Sequence, residues 1–277
     1  MPRFAHFRFC LPTLLLLSFA AASAAPVPAK HATVELLSKQ TEVAPGSAAL
    51  LGVHFILEPG WHIYWKNPGD SGQPPAFQWQ FPQGLTAGDV EWPVPERLQA
   101  SPELADYGYK EEVLLLVPVK VASGTQLGSA AQITLQAKWL ICREVCLPDR
   151  AELKLSVPVK SAAKDDSSQA KLFASAARRL PKPLPRGWKT VAVEGKDNFI
   201  LKVSAPHPLK QAQFFPADPG QIDNAAHQVV QPTPKGASLQ LKKSDLLLKP
   251  IAVLRGVLSL ADGEAYVVEA PVRAARR

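Results

Sequence analysis

Apolar and polar positions alternate in short runs along most of this chain, and proline or glycine interrupts each run. Thr33–Thr41, Ala48–Leu57, Phe77–Phe81, Glu112–Val121, Gln132–Leu140 and Ala151–Val159 therefore read as strands. Pro45-Gly46, Pro59-Gly60, Asn67-Pro68-Gly69, Gly84, Ser123-Gly124 and Pro148-Asp149 supply turns between them. The period of two and the 27 prolines predict an all-β, antiparallel protein, with a sandwich over residues 25–160.

The pattern changes at residues 161–189. Ser161–Ser168 is small and polar, a linker by composition. Leu172, Phe173, Ala176 and Leu180 then recur at helical spacing over Ser168–Leu180, and Pro181, Pro183 and Pro185 end the helix. Strand patterning returns at Thr190–Glu194, Phe199–Ala205, Ala212–Phe215, Ser238–Lys242, Ile251–Leu260 and Ala265–Val272. Residues 190–277 are thus expected to form a second, smaller β domain, structural or partner-facing, without a legible site.

One apolar stretch fits neither pattern. Arg3 and Arg8, the run Leu11–Ala22 and the small residues Ala22-Ser23-Ala24 have the three parts of a secretory signal peptide over residues 1–24. The run is too short to span a bilayer, which takes about 20 apolar residues. Val113–Val121 is broken by Pro118 and Lys120, so no transmembrane segment is expected in the mature chain. Cys10 lies before the apolar run and would leave with the signal. The expected location is the periplasm, where disulfides persist.

Charge adds little. The formal net charge is +7, and the bases gather at Arg178, Arg179, Lys182, Arg186 and Lys189 and at Arg273, Arg276 and Arg277. With no nucleic-acid motif, these read as a solvated linker and tail, and no nucleic-acid partner is expected.

Two cysteines remain after residue 24, Cys142 and Cys146, separated by three residues. An extended strand would hold them about 13 Å apart, whereas a disulfide needs Cα atoms about 4.4–6.8 Å apart. A tight turn or one helical turn is therefore expected just before the pair, at the end of the strand-like Ile133–Leu140. Such a short bridge stabilises by only about 2 kcal/mol in the chain-entropy model. From the residues alone, three readings stand: a redox-active pair, a structural staple and a metal site.

Four motifs in order narrow the choice. Gly60-Trp-His-Ile-Tyr-Trp-Lys-Asn-Pro-Gly-Asp-Ser-Gly72, Glu91-Trp-Pro-Val-Pro95, Asp106-Tyr-Gly-Tyr109 and Trp139-Leu-Ile-Cys-Arg-Glu-Val-Cys-Leu-Pro148 resemble the amino-terminal periplasmic domain of the disulfide-interchange reductase DsbD. The branch of suppressor-of-copper-sensitivity proteins is the best likeness, because the enterobacterial type has a longer spacer between its cysteines. The resemblance covers about residues 32–160 strongly and the remainder more loosely.

That resemblance implies an immunoglobulin-like fold and catalytic cysteines at Cys142 and Cys146, with no diffusible cofactor beyond the redox-active disulfide and no metal. It implies electrons from a membrane-embedded donor, here expected on a separate chain, and delivery to periplasmic thioredoxin-like acceptors through a mixed disulfide. It further implies a cap loop over the cysteines, aligned with Asp106, Tyr107, Gly108 and Tyr109; the alternative is a tyrosine-rich hairpin packing the sandwich. Trp61, His62 and Trp139 are expected to support that end of the fold. Arg143 would favour a nearby thiolate and Glu144 would oppose it, so local charge does not choose the attacking cysteine.

Two further classes compete. A non-catalytic envelope binding module would keep the bridge as a staple. A copper-tolerance protein could hold Cu(I) on the two thiolates, although the only methionine is Met1. Hydrolase and nucleotide-binding signatures are missing from the sequence.

Overall fold

The computed structural model describes residues 25–275, so the signal-peptide expectation for residues 1–24, with Cys10, lies outside the described residues, as do Arg276 and Arg277. The amino-terminal half contains β1 (Val27–Ala29), β2 (Ala32–Ser38), β3 (Gln40–Glu42), β4 (Ala48–Leu57), β5 (His62–Gly69), β6 (Ala76–Gln80) and β7 (Leu85–Ala87). It continues with β8 (Glu96–Ser101), β9 (Leu104–Lys110), β10 (Glu112–Val121), β11 (Ala130–Cys142), β12 (Cys146–Pro158) and the two-residue β13 (Lys164–Asp165). Apart from β3 and β13, which form a separate two-stranded pair, these strands stack as two sheets. One runs β1-β2-β4-β10-β7, and the other β12-β11-β5-β9-β8 with β6 also on β11.

Side-chain parity builds the core between the sheets. On β11, Ile133, Leu135, Ala137, Trp139 and Ile141 point inward, and on β4, Leu51, Val53 and Phe55 meet them. The Trp139 ring lies edge-on to Phe55 with centroids 5.3 Å apart. β10 is buried on both faces because a helix covers its outer side, which is why Val113–Val117 reads as an unbroken apolar run.

That helix, α1 (Ala170–Arg178), falls inside the stretch whose spacing predicts it. It buries Phe173 and Ala176 against Leu37, Leu114 and Leu116. Arg178 sits in its last turn, the favourable end of the helix dipole for a cation. Beyond it the proline-rich segment is held by the second domain: Lys182 N–H donates to the Ala265 carbonyl at 2.8 Å, and Val267 N–H donates to the Lys182 carbonyl at 2.8 Å.

The second domain comprises β14 (Lys189–Glu194), β15 (Asn198–Ser204), β16 (Ala212–Pro216), β17 (Val229–Thr233), β18 (Gly236–Lys242), β19 (Val253–Leu260) and β20 (Ala265–Ala274). They form one sheet in the order β16-β19-β20-β14-β15-β18-β17, with β14 and β20 parallel. Its own core gathers around Phe199, Leu201, Phe214, Leu239, Leu254 and Leu258. Phe215, Val257 and Ala265 instead join the core of the first domain. The split at Phe214 and Phe215 is again parity: neighbouring residues of one strand face opposite sides.

Two sequence expectations change here. Asp106, Tyr107, Gly108 and Tyr109 do not form a cap loop over the cysteines but lie inside β9, every one of them buried. The stretch hides its strand character because Asp106 and Gly108 are poor strand formers and both of its faces are covered, which removes the alternation of polarity. The chain reversal also falls between the cysteines rather than before them. β11 runs on to Cys142, and β12 begins at Cys146.

Candidate functional site

The β11–β12 hairpin ends in a cross-strand pair: Cys142 opposes Cys146, with Arg143, Glu144 and Val145 forming the tip. The two sulfurs are bonded, and their Cα atoms lie 4.2 Å apart. The two cysteines differ in exposure. Cys142 is 2 % exposed, whereas Cys146 and all three tip residues are exposed, with Val145 at 59 %.

Parity explains what covers Cys142. Trp61, just before β5, and Ile63 and Trp65 on it enter the sandwich core, leaving His62 and Tyr64 on the opposite face. Cys142 pairs with His62 in the ladder and shares that outer face. The Tyr64 hydroxyl donates to Cys142 Sγ at 3.0 Å and lies 3.4 Å from Cys146 Sγ. Tyr64, rather than the Asp106–Tyr109 stretch to which the resemblance assigns the cap, is the side chain that covers the sulfurs. Burial pushes the Tyr64 phenol above its ordinary value, so it remains a donor at neutral pH.

Tyr64 is itself roofed by the turn after β5. Gly72, at φ +76°, lies on the phenol ring so closely that an added Cβ would overlap it. Asp106 fixes that turn from β9: its carboxylate accepts from Ser71 N–H at 2.8 Å and from the Ser71 hydroxyl at 2.7 Å. Asp106 therefore belongs to the surroundings of the disulfide through Ser71 rather than by covering it.

The other residues singled out in the sequence fall in three places. Trp61, 5 % exposed, stacks on His31 at 3.8 Å, and the Arg143 guanidinium lies over its ring at 5.2 Å. That stack ties the hairpin tip to the β4–β5 turn. His62 meets Tyr64 edge-on at 5.3 Å, its Nε2 is buried without a hydrogen-bond partner, and desolvation holds its pKa below the ordinary value. Trp139 is core, and Glu144 is exposed at the tip.

Tyr107 and Tyr109 serve other ends. The Tyr109 hydroxyl donates to the Pro93 carbonyl at 2.7 Å. Tyr107 packs edge-on against Phe215 at 5.4 Å and donates to Asn224 Oδ1 at 3.0 Å, both in the second domain. Burial raises the Tyr107 pKa well above that of a free phenol, so it too stays a donor.

A groove of about 520 Å³ opens beside the hairpin, lined by Gln73, Pro74, Trp139, Leu140, Pro148 and Asp149 together with Lys30, Lys138 and Arg150. It coincides with a gap in the ladder. β6 pairs with β11 as far as Lys138, and β5 pairs with it at Cys142. Among the described residues, no three His, Cys, Asp or Glu side chains cluster as a metal site, and no helix is long and apolar enough to cross a membrane.

Set against known proteins, residues 33–158 match the family model "Thiol:disulfide interchange protein DsbD, N-terminal". The N-terminal periplasmic domain of ScsB from Proteus mirabilis superposes with a TM-score of 0.70 at 16 % identity, covering 91 % of this chain and 99 % of that one. At that identity the likeness shows the fold. The YadV chaperone aligns over 86 % of this chain and 99 % of its own, at 11 % identity and a TM-score of 0.21. No curated protein sequence matches the chain.

Proposed function

We propose, on the match of residues 33–158 to the DsbD N-terminal family model, that this chain is a periplasmic thiol-disulfide relay working through Cys142 and Cys146. The observation that carries the reading is the asymmetric bridge, one cysteine exposed at a hairpin tip and the other buried under a hydrogen-bonding phenol. A structural staple needs no such difference between its two ends.

The chemistry follows from that asymmetry. A thiolate of a reduced donor attacks Cys146 Sγ, the exposed end, and the Cys142–Cys146 bond breaks. Its electron pair leaves on Cys142 Sγ; the Tyr64 hydroxyl, 3.4 Å from Cys146 Sγ as well, covers the bridge and swings aside for the incoming thiolate. The donor's second thiolate then attacks the donor sulfur of the mixed disulfide and releases Cys146. The donor is now oxidised and the cysteine pair holds two electrons. In the delivery step Cys146 attacks an oxidised acceptor, and Cys142 resolves the mixed disulfide. The donor is a membrane-embedded reductase and the acceptors are thioredoxin-like. The groove beside the hairpin, with its open edge of β11 and its three cations, is where a partner segment would lie.

The test is trapping together with the reduction potential. The Cys142→Ser variant leaves Cys146 without its resolving partner and should accumulate a mixed disulfide with an oxidised thioredoxin-like protein, whereas Cys146→Ser should accumulate far less. The wild-type pair should equilibrate readily with thioredoxin. A potential below about −300 mV, the range of structural disulfides, with no trapped complex, would overturn the relay and leave a stapled binding module.

A further inference from the structure

We infer that Asn224, on the second β domain, is a positioning residue for the disulfide of the first, acting through the turn that roofs Tyr64. The inference rests on the exchange reading above and adds a role for the carboxy-terminal domain.

The contacts form one continuous chain. Asn224 is 4 % exposed. Its Oδ1 accepts from the Tyr107 hydroxyl at 3.0 Å, and its Nδ2 donates to Asp70 Oδ1 at 2.7 Å. The phenol has its hydrogen to give, which fixes the orientation of the amide and aims the NH₂ at the carboxylate. Arg97 holds the backbone at this point, donating from Nε to the Asn224 carbonyl at 3.0 Å and from a terminal nitrogen to the Ala225 carbonyl at 2.6 Å.

Asp70 in turn locks the start of the turn. Its Oδ2 accepts from Ala105 N–H at 2.8 Å, and its own N–H reaches the Ala105 carbonyl at 3.2 Å. The next residue is Ser71, held by Asp106, and the one after is Gly72, flat on the Tyr64 ring. Tyr64 ends on Cys142 Sγ. A second tie runs parallel: Asn67 Nδ2 donates to the Pro216 carbonyl at 2.8 Å while its Oδ1 accepts from Gly69 N–H at 3.1 Å. Both ends of the segment that places Gly72 over Tyr64 are therefore bonded to the second domain. Freed from Asp70, Asn224 would leave the turn fewer anchors, and the roof over Tyr64 and Cys142 would open more often.

The experiment follows reduction of the Cys142–Cys146 bond in the full chain by dithiothreitol, reading thiols by alkylation, so that it needs no protein partner. Asn224→Ala should accelerate reduction by about tenfold, the worth of one buried hydrogen bond to a charged acceptor. Tyr107→Phe, which keeps the packing and removes only the orienting hydroxyl, should accelerate it less. On a Tyr64→Ala background neither change should alter the rate, because the gate they act through is gone; a general loosening of the fold would still speed it. Should Asn224→Ala fail to fold, Tyr107→Phe carries the test by itself. Wild-type rates in the folded variants, or an acceleration that persists undiminished without Tyr64, would overturn the role of Asn224 and leave the relay standing. A bridge that dithiothreitol cannot reduce even in Tyr64→Ala would sink the exchange reading and this inference with it.

Discussion

The hairpin tip and the seam between the two domains are each organised around a tyrosine hydroxyl, and they are otherwise opposites. At the tip, Tyr64 donates to a sulfur, the neighbouring Arg143, Glu144 and Val145 are exposed, and the main side-chain anchor is the Arg143–Trp61 stack. At the seam, Tyr107 donates to a buried amide and is closed in by Trp65 and Phe215. The same side chain is a removable shield in one place and a fixed joint in the other. The difference lies in how many other bonds must break for the tyrosine to move. The candidate exchange site sits at the exposed hairpin tip, and the seam supplies a rigid frame beside it.

Substitutions should separate the two regions by size of effect. Phe215→Ala empties the seam between Trp65 and Tyr107 and should destabilise the chain by about 3–5 kcal/mol, the cost of truncating a buried phenylalanine. Denaturant unfolding followed by tryptophan fluorescence would read it, and a loss under about 1 kcal/mol would mean that the domains are held elsewhere. Asp106→Ala removes a carboxylate that accepts twice from Ser71 and lies between the regions. It should cost about 1.5–3 kcal/mol and also raise the rate at which dithiothreitol reduces the bridge. Stability loss with an unchanged rate would cut the link between β9 and the Tyr64 roof.

At the tip, Arg143→Ala should cost no more than about 1 kcal/mol, the range of an exposed cation–π contact, while increasing the mobility of the hairpin in relaxation measurements. The smallest expected effect is one of pH. Burial holds the His62 pKa below its ordinary value of 6.5, so the folded protein prefers the neutral ring. As pH falls below 6.5 the unfolded chain takes up the proton first, and stability should decline between 6.5 and the lower folded pKa; above 6.5 this contribution is flat. Melting temperatures of wild type and His62→Gln across that window should converge or cross on the acid side. Parallel curves would remove His62 as the cause.

The sequence made much of this legible. Ala48–Leu57 and Glu112–Val121 are strands with the bounds their sequence pattern predicts, and the helical spacing of Phe173 and Ala176 marks the buried face of α1. The cysteine motif marks the candidate site because its residues are chemically distinctive and close in sequence. What stayed hidden has a common cause. The resemblance places the Asp106–Tyr109 stretch over the cysteines, yet Asp106 bonds Ser71, 35 residues away, and Tyr107 bonds Asn224, 117 residues away, at positions with no local signal of contact. Tyr64 was in view, inside the aromatic cluster Trp61–Trp65, but nothing local distinguished it from its neighbours.

Composition and period determined that the chain is all-β and where most strands run, and spacing singled out a short-range cysteine pair as the candidate site, because these follow from propensities and spacings within a few residues. Tertiary structure alone decided which tyrosine faces the sulfur. In a strand a one-residue step reverses the face, so Tyr64 and Trp65 part company at the sheet, and Phe214 and Phe215 part between two cores. Register across strands, a long-range property, put Cys142 beside His62 and brought Asn224 to Asp70.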